Sequence, residues 1–364
     1  MNLSPALDKY THEQLSAREA QRLAEFIAFG PIVFEVSRLM LKLGILEMLR
    51  ESDQGMTVDE VAGKAGLSHY GAQVLLEASL TIGTVLVDKA SGRYSLAKAG
   101  WFLINDPATR VNIDFNHDVN YRGMYHLEEA VKQGRPAGLK TLGDWPTIYE
   151  GLSTLPRQAQ ESWLAFDHFY SDSSFEQALE VVLAHGPRTL LDVGGNTGRW
   201  AMQCMGHDPH IEVTILDLPQ QIEMMRQATQ GQPGAERVHG HGIDLLDESA
   251  QFPAEPHFDA IWMSQFLDCF SQEQALSILT RAARVMAGGT RLYIMETLWD
   301  RQRFEPAAFC LTQVSLYFTA MANGNSKMYN SDDLLAIIDQ AGLKVDTIHD
   351  NLGQGHSIVV CSKK

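Results

Sequence analysis

Thr189-Leu190-Leu191-Asp192-Val193-Gly194-Gly195-Asn196-Thr197-Gly198 decides the fold of this chain. An apolar run enters a glycine-rich turn. A second apolar run, Glu212-Val213-Thr214-Ile215-Leu216, then ends on Asp217. Strand, glycine turn, helix and a second strand closed by an acid make the layout of a nucleoside-binding βαβ unit. The glycines let the backbone bend sharply and approach a ligand, and the helix that follows offers free N–H groups. Asn196 is the non-glycine residue that best tolerates positive φ, so it can stand where a glycine is expected.

The loop reads Asp-x-Gly-x-Asn-x-Gly. An acid at its head repels a pyrophosphate but suits a ligand that carries an ammonium group. S-adenosylmethionine has an amino-acid end, a ribose and an adenine. It fits this loop and the ribose-accepting Asp217 better than a dinucleotide does.

The regular elements around the loop extend the same pattern. Strands are expected at 189–193, 212–216, 236–240, 258–263, 290–296, 344–349 and 356–362. Helices are expected near 198–206, 219–229, 272–286, 303–322 and 331–341. Alternation of this kind gives an open, doubly wound, mostly parallel sheet, with its ligands at the carboxyl ends of the strands. The loops after 193, 217, 243 and 263 then surround one site.

Upstream, about Glu19 to Arg50 has helical periodicity, through Phe34, Leu39, Leu43, Leu46 and Leu49. Thr57 with Glu60 makes a capping-box start, Gly66 stops that helix, and a new one runs from Ser68 to Ile82. Val85–Asp88 and Arg93–Leu96 flank a turn, so helix-turn-helix plus hairpin reads as a winged helix. Its second helix has no Lys or Arg, carries Glu77, and presents Tyr70, Val74, Leu75 and Leu76. A helix that reads a DNA groove needs polar and basic residues. The expected role is therefore dimerisation.

Composition agrees. The 364 residues suffice for two domains, and 45% hydrophobic with 20% charged content is that of a globular chain. A net charge of −16 disfavours a nucleic-acid partner. No apolar run reaches membrane-spanning length, and Met1–Tyr10 lacks the blocks of a signal peptide. Cys204, Cys269, Cys310 and Cys361 form no CxxC pair, which suggests reduced thiols in a cytoplasm. His239-x-His241 near Asp244 reads as a strand end rather than a metal site, and no metal is expected. The expected domains are residues 1–110, a helical connector 111–183, and a catalytic domain 184–364.

Several residues can carry chemistry. Asp244 and Leu245 follow the third strand, where an acid can meet an adenine amino group. Ser264 ends the fourth. Asp268 is the only acid of Trp262–Phe270, and burial among Phe266, Leu267 and Phe270 would raise its pKa toward that of a base. It could instead cap the helix near Ser271 or pair with an arginine. Glu296 ends the fifth strand, where it is expected to face the cleft and orient a partner, or merely to close the sheet. The connector is rich in rings, among them Tyr149, Trp163, Phe166, Phe169 and Tyr170, which pack the core or wall a pocket for a flat ligand. The helix 303–322 places Phe309, Gln313, Leu316, Tyr317 and Met321 on one face, as a pocket wall would.

These motifs resemble the S-adenosylmethionine-dependent O-methyltransferases of small molecules. The matching residues are Leu191–Gly198, Asp217-Leu218-Pro219, Gly242-Ile243-Asp244-Leu245, the segment 262–276 and Ala341-Gly342-Leu343. Tyr94–Gly100 of the winged helix matches as well. The resemblance implies an α/β, class I methyltransferase, Rossmann-like seven-stranded sheet with an N-terminal winged-helix dimerisation domain. It implies S-adenosylmethionine as cofactor and S-adenosylhomocysteine as product. Asp192, Gly194, Gly195, Asn196 and Gly198 would hold the methionine part, Asp217 the ribose, and Asp244 and Leu245 would flank the adenine, with Leu218 and Ser264 also at the cofactor. It also implies a homodimer in which the N-terminal domain closes part of the partner's pocket, and a small, aromatic or conjugated acceptor.

The catalytic position departs from the family pattern. Family members with a general base have His-Asp-Trp where this chain has Asp268-Cys269-Phe270. The glutamate that orients such a histidine maps near Met328. Three options follow. Asp268 acts as the base, His117 or His168 replaces it, or positioning alone suffices. Methylation of nitrogen or carbon, decarboxylation or hydroxylation on the same scaffold, and a non-enzymatic regulator, are the alternatives.

Overall fold

The computed structural model describes Tyr10–Lys364, which divide into two compact units, His12–His117 and Asp118–Lys364. The stretch expected as one helix from 19 to 50 is three, Ala17–Ala28, Gly30–Lys42 and Ile45–Arg50. Pro31 lacks the N–H that would continue a helix from Ala28, so it opens the second helix instead. Gly44, at φ +68°, turns the chain between the second and third.

Thr57 and Glu60 form the expected capping box at the start of Val58–Ala65, and Gly66 closes that helix at φ +67°. Ser68 caps His69–Ile82. The wing is β1 (Val85–Val87) paired antiparallel to β2 (Tyr94–Leu96), with Val85 opposite Leu96. Met40, Ile45, Leu46, Leu49, Val61, Leu76 and Val85 pack its core. Phe26, Ile27, Phe29, Ile32, Tyr70 and Trp101 remain exposed.

In the larger unit, helices at Leu127–Gln133, Ile148–Gly151, Arg157–Asp172 and Phe175–Val182 lead into the sheet. Its strands are β3 (Thr189–Val193), β4 (Glu212–Asp217), β5 (Val238–Gly242), β6 (Ala260–Ser264), β7 (Arg291–Glu296), β8 (Leu343–Leu352) and β9 (His356–Lys363). They lie in the order β5-β4-β3-β6-β7-β9-β8, and β9 alone runs against its neighbours. After β5 the chain crosses back over β3 to place β6 on its other side. The carboxyl ends of β3 and β6 therefore flank the switch point, where α/β sheets bind ligands.

Alternation along the strands serves two cores. Leu191, Val193, Met263 and Ile294 face one, and Leu190, Trp262 and Tyr293 face the other. In the second, Trp200 stacks on Trp262 with ring centroids 4.3 Å apart. This pins the helix Arg199–His207 to the sheet directly behind the glycine turn. No helix among the described residues is long and apolar enough to cross a membrane.

Candidate active site

The glycine turn is fixed by its own backbone. Gly194 N–H donates to Leu216 O at 2.8 Å, and Gly198 N–H donates to Gly195 O at 2.9 Å. Gly194 and Gly198 have φ of +77° and +82°, and Asn196 adopts +49°, as its side chain permits. A Cβ on Gly195 would stand 2.5 Å from Asp192 Oδ2, so only glycine fits against that carboxylate.

Asp192 is 2% exposed, and its Oδ2 has no hydrogen-bond partner. Burial, and then the charge of Asp217, push its carboxyl up to about 8. Asp217 is only partly buried. Its Oδ2 accepts from Asn196 N at 2.9 Å and its Oδ1 from Leu218 N at 2.7 Å. Burial raises its pKa while those two N–H groups oppose the rise. Each oxygen keeps a lone pair for an incoming hydroxyl. Asp244 is exposed and accepts from Leu246 N, while Leu245 is buried beside it.

On the other side of β3, Ser264 ends β6 half-buried and a tight turn, Leu267–Cys269, follows. Glu296, 1% exposed at the end of β7, accepts from Phe266 N at 3.1 Å and Leu267 N at 2.8 Å through Oε1. Its Oε2 has no partner. The turn so held presents Asp268, which is 4% exposed. The cap and arginine-pair alternatives fail. Ser271 caps Gln272–Val285 itself, and Asp268 makes no ion pair among the described residues. Burial, and the charge of Asp167, push its carboxyl up to about 7, against an opposing contact from the Cys269 thiol. Burial and Asp268 together hold Glu296 well above the usual carboxylate range.

Three residues that sequence reasoning missed hold this turn or face it. Asn323 Nδ2 donates to Cys269 O at 2.6 Å, while its Oδ1 accepts from the backbone N–H groups of Asn325 and Ser326. Gln265, at φ +46°, meets buried His356 through Oε1···Nε2 at 2.5 Å, and burial pushes that histidine down to about 4. Asp167 lies one turn after Trp163 on Arg157–Asp172 and is half-buried. Burial, and then Asp172, push Asp167 up to about 6, with Arg199 opposing. The only sequence signal for Asp167 was its spacing of four from Trp163; nothing local marked Asn323.

The expected pocket residues separate. The helix ends at Tyr317, and a π turn, Phe318–Ala322, replaces its last turn. That turn carries only Met321 off the stripe, since Phe309 to Tyr317 lie on one regular helix. Phe309 and Gln313 are exposed, while Met321 is fully buried against Gly123 and Gly138, where a Cβ would overlap its sulfur. Tyr317 is 4% exposed and its hydroxyl accepts from Trp163 Nε1 at 2.7 Å. His168 and Phe169 are half-buried, and burial and Arg199 lower the His168 pKa. His117 lies in the other unit, on a π turn at Asn116–Asn120. His239 sits exposed beside Glu212, Nε2 to Oε2 3.6 Å. A groove of about 720 Å³ lined by His185, Arg291, Tyr293 and Lys363 lies at the opposite end of β7 and plays no part here.

The profile of the O-methyltransferase domain family matches residues 124–344, and that of a Dimerisation2-like domain matches residues 21–94. The chain belongs to the O-methyltransferase domain family. It is an S-adenosylmethionine-dependent methyltransferase. L-tyrosine C(3)-methyltransferase of Streptomyces lavendulae is 22% identical over 93% of this chain and 92% of its own length. Demethylspheroidene O-methyltransferase of Cereibacter sphaeroides is 26% identical, covering 85% and 79%. The solved apo structure of the S-adenosylmethionine-dependent methyltransferase SibL superposes with a TM-score of 0.69 at 23% identity, covering 93% of this chain and 98% of that one.

The residues present fit that cofactor. A buried carboxylate oxygen without a partner, Asp192 Oδ2, lies against Gly195, where a Cβ would stand 2.5 Å from it. A group bearing positive charge there would satisfy it.

Proposed function

We propose that this chain transfers a methyl group from S-adenosylmethionine to the hydroxyl of a small aromatic or conjugated acceptor, with Asp268 as the base. The observation that carries this reading is a division of labour across the switch point. One pair of carboxylates, Asp192 and Asp217, belongs to the glycine turn, and a second, Asp268 and Glu296, lies at the ends of the next two strands.

In this reading Asp192, Gly194, Gly195, Asn196 and Gly198 hold the amino-acid end, Asp217 and Leu218 the ribose, and Asp244 and Leu245 the adenine. Ser264 lines the floor between the two halves. The cofactor supplies an electrophilic methyl on a sulfonium. Asp268 would take the acceptor hydroxyl's proton, freeing that oxygen to receive the methyl group that the bound cofactor would supply. A carboxylate near 7 suits that task, since a base works best with a pKa close to the working pH. Glu296 orients Asp268 by fixing the two N–H groups before it. The rings of Trp163, Tyr317, Phe266 and Phe270 supply flat apolar walls.

The exposed apolar residues of the N-terminal unit, with its Dimerisation2-like match, support a homodimer formed through that unit. The four free thiols suit a cytoplasmic setting. The relatives include a carbon methyltransferase, so the methylated atom is read from the product by NMR as well as by mass.

The test is a calorimetric titration with S-adenosylmethionine, with Asp217→Ala alongside. Saturable binding, weakened about 10- to 100-fold in the variant, is expected for a lost charged hydrogen-bond acceptor. Equal affinities would remove the ribose assignment.

A further inference from the structure

Arg281 lies on the helix Gln272–Val285, is 4% exposed, and has no carboxylate paired with it among the described residues. Its guanidinium donates only to backbone carbonyls. Nη1 reaches Asp247 O at 3.1 Å and Ala250 O at 2.9 Å, Nη2 reaches Leu245 O at 2.5 Å, and Nε reaches Ser277 O at 3.4 Å. Except for Ser277 O, these carbonyls belong to the loop that leaves β5 at the carboxyl edge of the sheet.

A buried charge is tolerated only where strong hydrogen bonds replace its water, and those made by an ionised donor are the strong ones. Here they converge on a surface loop. The helix that bears Arg281 is itself anchored through buried Ala275, Ile278, Leu279 and Ala282. The loop is therefore fixed from the core as well as by its own turns. Leu245, whose carbonyl is held, is buried. Asp244, just before it, is exposed, and its Oδ1 accepts from Leu246 N at 2.9 Å. Its Oδ2 is left to accept from an amino group.

Arg237 supplies a contrast within the same unit. Its Nη1 donates to Asp208 O at 3.0 Å and Ile211 O at 2.9 Å, and its Nη2 to Met205 O at 3.4 Å. It also has a carboxylate beside it, Glu236, 3.8 Å away. This grip resembles that of Arg281, but it lies at the amino ends of β4 and β5, away from the ligand edge.

We propose that Arg281 is a positioning residue for the nucleoside end of the cofactor, holding the loop 245–250 so that Asp244 meets the adenine amino group. This rests on the adenine assignment of Asp244, which the experiment tests separately.

The quantity measured is the adenine preference. It is the calorimetric affinity for S-adenosylhomocysteine divided by that for its analogue with hydrogen in place of the adenine amino group. A charged acceptor for that amino group gives a preference of about tenfold in the wild type. Asp244→Ala should remove it. Arg281→Met should remove it too, and Arg281→Lys, a cation without the planar fork, should retain about threefold. Arg237→Lys should lower the thermal midpoint and leave the preference at about tenfold. Thermal midpoints are measured first, and if Arg281→Met does not fold, Arg281→Lys carries the test.

A full preference in the Arg281 variants, with Asp244→Ala losing it, overturns the role of Arg281 and leaves the adenine assignment standing. An equal loss in Arg237→Lys also overturns it, because any weakened grip on the chain would then have the same effect. No preference in the wild type, or one that survives Asp244→Ala, takes down the adenine assignment and the proposal with it.

Discussion

The two halves of the proposed cleft, one assigned to the cofactor and one to the acceptor, are built differently. The cofactor half is local. Asp192, the glycine turn and Asp217 come from one βαβ unit, and the Asp217 carboxylate and the turn are fixed by backbone N–H groups within Asp192–Leu218. The acceptor half is assembled from afar. Asp268 is held by Glu296 from the next strand and Asn323 from beyond a π turn, and is faced by Asp167 from a helix that precedes the sheet. Local construction gives a rigid cradle for an invariant ligand. Distant construction lets the acceptor wall vary while the cradle stays the same.

Breaking the local half should have the larger effect. Gly195→Val places a branched side chain where even a Cβ stands 2.5 Å from Asp192 Oδ2 and 2.9 Å from Ile215 Cγ2. Overpacking of this kind costs about 1–3 kcal/mol in stability, and S-adenosylmethionine affinity should fall by about a hundredfold or more. Thermal unfolding and calorimetry check both. Wild-type affinity in this variant would show that the turn is not the cradle.

Loosening the distant half should cost less and touch different quantities. Asn323→Asp keeps an acceptor for Asn325 and Ser326 but loses the donor to Cys269 O. Turnover should drop about tenfold, since misplacing a reacting group is costly, while cofactor affinity holds. A parallel loss of cofactor affinity would erase the distinction between the halves.

The smallest effect is a pH dependence confined to the cofactor half. The folded Asp192 carboxyl, near 8, lies above its unfolded value. Its contribution to stability is therefore complete at low pH and is lost as pH climbs from about 4 through about 8. A cationic group bound beside it favours the ionised form. Cofactor affinity should thus rise several-fold from about pH 6.5 to about pH 8.5, with proton uptake by buffer on binding below about pH 8. Asp192→Asn should flatten that rise, and a flat wild-type profile would exclude Asp192 as the partner of that charge.

The same contrast explains what could be read from the sequence. All seven strands of the large sheet lie within a few residues of their expected positions, because alternating apolar runs between glycine turns admit few other folds. The burial of Asp268 and Glu296 near neighbouring strand ends was legible for the same reason, since both follow strands that the sheet brings together. The positions of Asp167, Asn323 and His356 were not, because each meets this region only through a neighbour more than 50 residues away. The helix at 303–322 misled for a different reason. Phe309, Gln313 and Leu316 do share a face, but it is exposed, and the extra residue of the π turn after Tyr317 carries Met321 away from it.

The most direct test of the account is a comparison of Asp268→Asn with wild type in single-turnover methyl transfer. Both proteins are saturated with S-adenosylmethionine and given the same phenolic acceptor. Asparagine keeps the size of the side chain and cannot take a proton. The account predicts unchanged cofactor affinity and a transfer rate lower by about 10²- to 10⁴-fold, with the wild-type rate rising through about pH 7. Transfer at the wild-type rate by Asp268→Asn would contradict it and leave positioning alone as the source of catalysis.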